Sequence, residues 1–264
     1  VRVGLPASAS LPPFCDWPED LASIVNAGHY MVRGGNEYDG RPIVDFHSED
    51  MREIATKIRD AGITSVGISA VFSPLTAECE ERAAEILREE CPGVAITLSH
   101  DLGRLGLLER ENVTLLNAAL LELATTTTAA FVKALAECGI EAPLYITQND
   151  GSIVHAEYAA KFPIYSFSSG STNSMRGAAF LSALDHAIVV DVGGTTTDIG
   201  CLRQGFPREA NNVVSVGGIR TNFRMPDVLS IGLGGGSVVN KSPLSIGPLS
   251  VGYELTQQAR IFGG

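Results

Sequence analysis

The chain has 264 residues, of which 45% are hydrophobic and 19% charged, enough apolar material for a sizeable core and one or two domains. Its 19 basic against 30 acidic residues give a formal net charge of −11, which argues against nucleic acid or an anionic membrane surface as a partner. No uninterrupted apolar run is long enough for a membrane span.

Residues 1–40 are rich in proline, glycine and serine and read as loop, with a short helix near 20–26 and turns over 34–40. A short strand is expected at 42–46. From there helices and strands alternate. A helix opens at Ser48 or Glu49 and ends at Gly62, and the β-branched run 63–72 is a buried strand. Ser73 and Pro74 read as an N-cap and first helical residue, with Leu75, Cys79, Ala83, Ile86 and Leu87 on one face. A strand at 94–98 precedes a long helix at 112–138, whose stripe is Leu116, Leu120, Leu123, Phe131 and Leu135. Strands are expected at 143–148 and 163–167, helices at 155–161 and 171–184, and a strongly apolar strand at 187–192. Beyond it helices give way to short strands and glycine turns, with a last helix at 253–261. The pattern predicts an α/β fold with mixed sheets flanked by helices and a domain boundary at 187, dividing the chain into 1–186 and 187–264.

The five cysteines are scattered with no CxxC, which suits thiols in a reducing, cytoplasmic setting. The first residues show no signal-peptide pattern. Both ends read as cut, so a fragment of a larger protein is expected.

The strongest chemical signal is Asp191-Val192-Gly193-Gly194-Thr195-Thr196-Thr197-Asp198, between two apolar strands. Glycine lets backbone amides approach a ligand, and amides with threonine hydroxyls suit phosphate oxygens. Two carboxylates beside a phosphate call for a divalent cation, and Mg²⁺ held by Asp191 and Asp198 fits that need. The alternative is a hairpin with a polar tip. A second, weaker signal is Gly234-Gly235-Gly236-Ser237, where backbone alone can meet a ligand. Neither a Rossmann fingerprint nor a GxxxxGK[ST] P-loop occurs.

The Asp191 to Asp198 turn resembles the second phosphate loop of the actin, sugar-kinase and heat-shock ATPase superfamily. The glycine segment resembles that superfamily's adenosine segment. A closer resemblance, to the hydantoinase/oxoprolinase family, runs in order through Ser99-His100, Glu109-Arg110-Glu111-Asn112, Asn117-Ala118, Gln148-Asn149-Asp150-Gly151, Ser169-Gly170, Gly217-Gly218, Arg220-Thr221, Met225-Pro226-Asp227 and Gly247-Pro248 to Phe262-Gly263-Gly264. Ser171 departs from it, because the family usually has proline after Ser-Gly. Family members also begin with an earlier Asp-Val-Gly-Gly-Thr loop, and none precedes Asp191 here.

The resemblance implies an actin-like ATPase (ribonuclease H-like) fold, present in part, with nucleotide in a cleft between lobes. It implies ATP and Mg²⁺ as cofactors and ring opening of a cyclic amide, such as a hydantoin or 5-oxoproline, through a phosphorylated intermediate. Asp191 and Asp198 would take the catalytic and metal roles. Gly193, Gly194, Thr195, Thr196 and Thr197 would hold phosphates, and Gly234, Gly235, Gly236 and Ser237 the nucleoside. A second hydantoinase-type subunit or domain would be the partner, and these residues alone would be inactive. The alternatives are a subunit of an ATP-dependent ketone carboxylase and a non-catalytic nucleotide-binding module. His100, Arg110, Asn112, Arg176 and Arg220 carry blander readings beside functional ones: a structural histidine, a helix cap, a solvated charge, and an ion pair of Arg220 with Asp227.

Overall fold

The computed structural model describes residues 1–210, 213–258 and 260–262. In chain order the elements are β1 (Arg2–Leu5), α1 (Glu19–Val25), β2 (Met31–Arg33), α2 (Ser48–Asp60), β3 (Ser65–Ala70), α3 (Glu78–Glu90), β4 (Ala95–Leu98) and α4 (Leu107–Glu137). They continue with β5 (Tyr145–Thr147), β6 (Ile153–His155), α5 (Ala156–Lys161), α6 (Ser169–Ser182), β7 (Ala187–Val192), β8 (Thr197–Arg203) and β9 (Phe206–Pro207). The last are β10 (Val214–Val216), β11 (Ile219–Thr221), β12 (Val228–Ile231), β13 (Ser237–Lys241), β14 (Leu244–Ser250) and α7 (Leu255–Gln258). Of the helix expected at 253–261, Ala259 lies outside the described residues, as do Gly263 and Gly264.

The chain forms two compact units, and the path returns to each. Unit 1 comprises Val1–Ile146, Val154–Ser166 and Asn211–Phe223; unit 2 comprises Thr147–Ile153, Phe167–Ala210 and Arg224–Gly264. The boundary expected at 187 falls inside unit 2, where α6 packs on the strands that follow it, β7, β8 and β9.

Unit 1 is built on a four-stranded parallel sheet in the order β2-β1-β3-β4. The alternation of β3 assigns its faces. Val66, Ile68 and Ala70 join the core made with Met51, Ile54, Ala55 and Ile58 of α2 and Ala83 and Leu87 of α3. Ser65 and Ser69 point the other way and donate to the Ala118 carbonyl and the Glu111 carboxylate of α4, at 2.7 and 2.6 Å. Between them Gly67 lets α4 come close: a Cβ there would lie 3.2 Å from Thr114 Cγ2. β10 and β11 form a hairpin over a Gly217-Gly218 turn with φ of 59° and 85°, values that favour glycine at both positions.

Several expectations need correction here. Residues 1–40 hold two strands of the parallel sheet, β1 at its interior, because Val3 and Val32 are fully buried despite the surrounding prolines and glycines. Only an isolated bridge, Asn36 to Pro42, stands where a strand was expected at 42–46. The helix expected from Ser73 starts at Glu78, because the Ser73 hydroxyl is turned inward to Ser99, 3.1 Å away, and Leu75 stays exposed. Residues 163–166 form a 3₁₀ turn rather than a strand.

The stripe proposed for α4 also fails over its second half, where Leu123 and Phe131 are 66% and 56% exposed. A 31-residue helix runs about 46 Å, whereas the six residues of β3 span only about 20 Å. The helix simply outruns its sheet. By length and composition α4 is the one helix among the described residues long and apolar enough to cross a membrane. Its first turns nevertheless bury Arg110, Glu111, Asn112, Thr114 and Asn117, as in the core helix of a globular unit.

Unit 2 carries an antiparallel sheet in the order β12-β8-β7, with β9 beside β8, and a separate β13–β14 ribbon. α6 lies along β8. Met175, Ala179 and Leu202 are buried together, with Ala187, Val189 and Val228 packed against them. Gly200 makes the fit possible, since a Cβ there would lie 2.7 Å from Met175 Sδ. The opposite face exposes Ile188, Val190, Val192, Leu229 and Ile231.

Candidate functional site

In unit 2 the two apolar strands form the hairpin the sequence implies. Asp191 pairs with Asp198 and Val192 with Thr197, and Gly193 N–H closes the turn on Thr196 O at 2.9 Å. Directly opposite residues share a face, so both aspartates lie on the α6 side with Val189 and Gly200. β12 extends the row, because Ser230 pairs with Asp198. One line across three strands therefore reads Ser230, Asp198, Asp191.

The two carboxylates differ in what holds them. Asp198 accepts from Ser171 Oγ of α6 at 2.8 Å on one oxygen and from Ser230 Oγ at 2.5 Å on the other. Among the described residues none donates to the partly buried Asp191 carboxylate. Like charges opposed on one face repel, and a small hard cation relieves that repulsion. Mg²⁺ takes one or two carboxylates and completes its shell with phosphate oxygens and water, so this donor set fits it. Among the described residues no group of three or more His, Cys, Asp or Glu forms a self-sufficient metal cage.

The turn tip is exposed and rigidly backed. Gly235 N–H donates to Gly193 O at 2.9 Å and Gly236 N–H to Gly194 O at 2.7 Å. Thr197 Oγ1 donates to Leu233 O at 2.6 Å, so that hydroxyl is spent on holding the loop. The amides of Gly194, Thr195 and Thr196 and the hydroxyls of Thr195 and Thr196 meet no described acceptor. They are the groups available to an anion.

The glycine segment thus sits on the turn between Asp191 and Asp198. A Cβ at Gly234 would lie 2.6 Å from Gly193 O and 2.8 Å from Thr195 N, and one at Gly236 would lie 2.7 Å from Ser250 Oγ. Ser237 Oγ accepts from Gly234 N–H at 2.8 Å. Loop-on-loop contact explains these three residues, while Gly235 faces only Gly193 O at 3.9 Å. Gly234→Ala is accordingly expected to destabilise by about 1–3 kcal/mol, the usual cost of overpacking. Gly235→Val should leave the melting temperature close to the parent's, and a thermal melt of both variants checks the contrast.

In unit 1 the family-like polar residues meet one another. Glu80 is fully buried and accepts from the amides of Ala70 and His100, from Ser99 Oγ and from His100 Nδ1 at 2.8 Å. Arg110 donates to Ser99 Oγ at 2.9 Å and to Ala70 O at 2.6 Å, and burial lowers its pKa. Asn112 ties Trp17 Nε1, Asp16 and Arg220 O together, and Asn117 holds Thr97, Lys161 O and Ile164 N. The expected Arg220–Asp227 pair does not form: Arg220 binds Glu109, and Asp227 binds Arg208. Arg176 stacks 3.9 Å from the Phe206 ring and donates to Gly205 O, so it is not a solvated charge. Sequence reasoning missed Ser171 and Ser230 as partners of Asp198, because nothing local marks a serine that answers a carboxylate 27 or 32 residues away.

The Glu80–His100 contact predicts a pH effect. The Glu80 hydrogen bond raises the His100 pKa against an opposing burial penalty. Burial pushes Glu80 up, but the bonds from His100, Ser73 and Ser99 hold it below the usual carboxylate value. A raised histidine contributes stability that is complete below its unfolded pKa, about 6.5, and is lost as pH rises through the folded value. The melting-temperature gap between the parent and His100→Gln should therefore be widest near pH 6 and shrink toward pH 9.

Comparison with known proteins agrees with this architecture. The chain is 26% identical over 234 residues to the acetophenone carboxylase gamma subunit of Aromatoleum aromaticum, covering 84% of this chain and 32% of that subunit. It is 24% identical over 204 residues to caprolactamase subunit alpha of Pseudomonas jessenii, covering 74% of this chain and 29% of the other. The nucleotide-free structure of an acetone carboxylase, described with ATP-dependent acetone carboxylation, superposes with a TM-score of 0.72 at 18% identity, over 96% of this chain and 39% of that one. The chain thus spans about a third of the length of the curated relatives it matches. Family profiles match at residues 16–91, the hydantoinase/oxoprolinase N-terminal region, and at residues 110–264, and with most of its length accounted for in this way the chain belongs to the hydantoinase/oxoprolinase family.

Proposed function

We propose that this chain is the nucleotide-handling part of an ATP-dependent enzyme that opens a cyclic amide, a hydantoin or a lactam such as 5-oxoproline. The observation that carries the reading is the turn itself. Amides at Gly194, Thr195 and Thr196 that are free among the described residues stand at the end of a ladder holding one carboxylate with no described donor, Asp191, and one oriented carboxylate, Asp198. ATP is the cofactor, its phosphates on Gly194, Thr195 and Thr196, the groups of the turn left available once Gly193 N–H and the Thr197 hydroxyl close the loop, with Gly235 as the glycine left open toward the nucleoside. Of the two carboxylates placed for Mg²⁺, Asp191 is the one that would hold it, with Asp198 beside it, and the cation neutralises phosphate charge when bound. An actin-like ATPase fold is the reading for the chain, and what supports it is the resemblance of the Asp191 to Asp198 turn, formed here as a hairpin.

A lactam carbonyl is a poor electrophile. Transfer of the γ-phosphoryl group to its oxygen breaks the β–γ bridging P–O bond, releases ADP and activates the carbon toward water. The net reaction consumes lactam, ATP and water and yields the ring-opened amino acid, ADP and phosphate. Such transfer rests on positioning and on stabilising charge, which a rigid turn supplies. The names of the relatives support a second subunit as partner, since one is a gamma and one an alpha subunit. Five free cysteines suit a cytoplasmic location.

A second reading, a subunit of an ATP-dependent ketone carboxylase, draws on the likeness to the two carboxylases. The test is the full-length protein with its partner subunit, Mg²⁺ and ATP, offered 5-oxoproline, a hydantoin, or acetone plus bicarbonate. Phosphate release that depends on a cyclic amide supports the first reading. Release that depends on the ketone and bicarbonate supports the second, and neither overturns both.

A further inference from the structure

We propose that Ser171 and Ser230 are positioning residues that lock the Asp198 carboxylate, so that the two aspartates divide their work: Asp191 meets the cation and Asp198 orients the group that attacks the γ-phosphate. The inference rests on the ATP reading above and deepens it. Three features of unit 2 converge on Asp198. Ser171 Oγ lies 2.8 Å from one of its oxygens and Ser230 Oγ 2.5 Å from the other. Ser230 is also its direct partner in the ladder, so the short distance is enforced by register rather than by a flexible arm. Ser171 stands in the first turn of α6, which Met175 and Ala179 hold against the sheet.

The two donors are neutral and come from different elements. They leave Asp198 its charge and fix both oxygens, which removes the rotational freedom an isolated carboxylate keeps. Each carboxylate oxygen retains a lone pair for one more partner, so Asp198 can still accept from the N–H of the lactam whose carbonyl oxygen attacks the γ-phosphate. Its position beside the first turn of α6 is also the favourable end of that helix for negative charge. Asp191, with no described donor, is the group free to meet a cation.

The experiment uses the full-length protein with its partner subunit. Mg²⁺-dependent ATP binding is read by calorimetry, and phosphate release is read with whichever of 5-oxoproline, a hydantoin, or acetone plus bicarbonate is turned over. Ser171→Ala and Ser230→Ala should each lower kcat about 10-fold and the pair about 100-fold, with ATP affinity and melting temperature within about 3-fold and 3 °C of the parent. Ser171→Thr, which keeps the hydroxyl, should restore kcat to within about 3-fold. Asp191→Asn should instead raise the Mg²⁺ concentration needed for ATP binding about 10-fold or more.

Unchanged kcat in both alanine variants overturns the clamp, as does a loss of ATP affinity and melting temperature that parallels kcat. Failure of Ser171→Thr to recover any activity also overturns it. A parent protein that binds no ATP in the presence of Mg²⁺ overturns the nucleotide reading and this proposal with it, an outcome distinct from intact binding with indifferent serines.

Discussion

Asp198→Asn is expected to lower kcat by roughly 10²–10⁴-fold, the range for a group assisting proton movement at the reacting centre, while Mg²⁺-ATP binds nearly as before. The amide keeps the shape of the side chain and one oxygen, so one of the two serine bonds survives. The other serine faces an NH₂ and can only accept from it, so its own hydroxyl proton must point elsewhere. What is lost is charge and the orientation of one acceptor, both of which act in the transition state. A group of that kind reduces kcat and kcat/KM together and leaves ground-state affinity alone. Steady-state kinetics beside calorimetric ATP titration reads the split. Turnover equal to the parent's removes Asp198 from the mechanism, and equal losses in affinity and turnover make it a binding residue instead.

The largest effect on stability is expected from Glu111→Leu in unit 1. Arg2 is fully buried, and its Nε and Nη2 donate to the two oxygens of the nearly buried Glu111 at 2.8 and 2.5 Å. Ser69 Oγ adds a third bond at 2.6 Å. Removing one member of such a pair leaves an uncompensated buried charge, which costs about 3–5 kcal/mol. The double variant Arg2→Met with Glu111→Leu removes both charges and should be milder than the single one, since apolar replacements of buried pairs are often close to neutral. Urea unfolding of the parent, both single variants and the double variant forms the cycle. A single variant within about 1 kcal/mol of the parent would mean that water reaches the pair.

The turn between Asp191 and Asp198 was legible in the sequence because its cause is local. An apolar strand, two glycines, three threonines and a second strand are consecutive, and a hairpin needs nothing else. The β-branched run of β3 and the glycine after α2 were legible for the same reason: a short apolar run and a left-handed stop belong to neighbouring residues. The acidic balance, the ordered family motifs and the free cysteines likewise came from the residues themselves.

Tertiary structure decided everything that depended on a partner far along the chain. β1 looks like loop until β2 and β3 pair with it on both sides. α4 carries an apolar stripe throughout, but the length of the sheet beside it decides how much is covered, and Leu123 and Phe131 lie past its end. Arg110, Asn112 and His100 have the chemistry of a site. Folding instead consumes their hydrogen bonds, because buried donors and acceptors must find partners and here they find each other. In the other direction, Ser171 and Ser230 are ordinary serines in the sequence. They become the hands on Asp198 only when α6 lies along β8 and β12 falls into register beside it, since a side-chain hydrogen bond needs about 3 Å and sequence separation sets no distance.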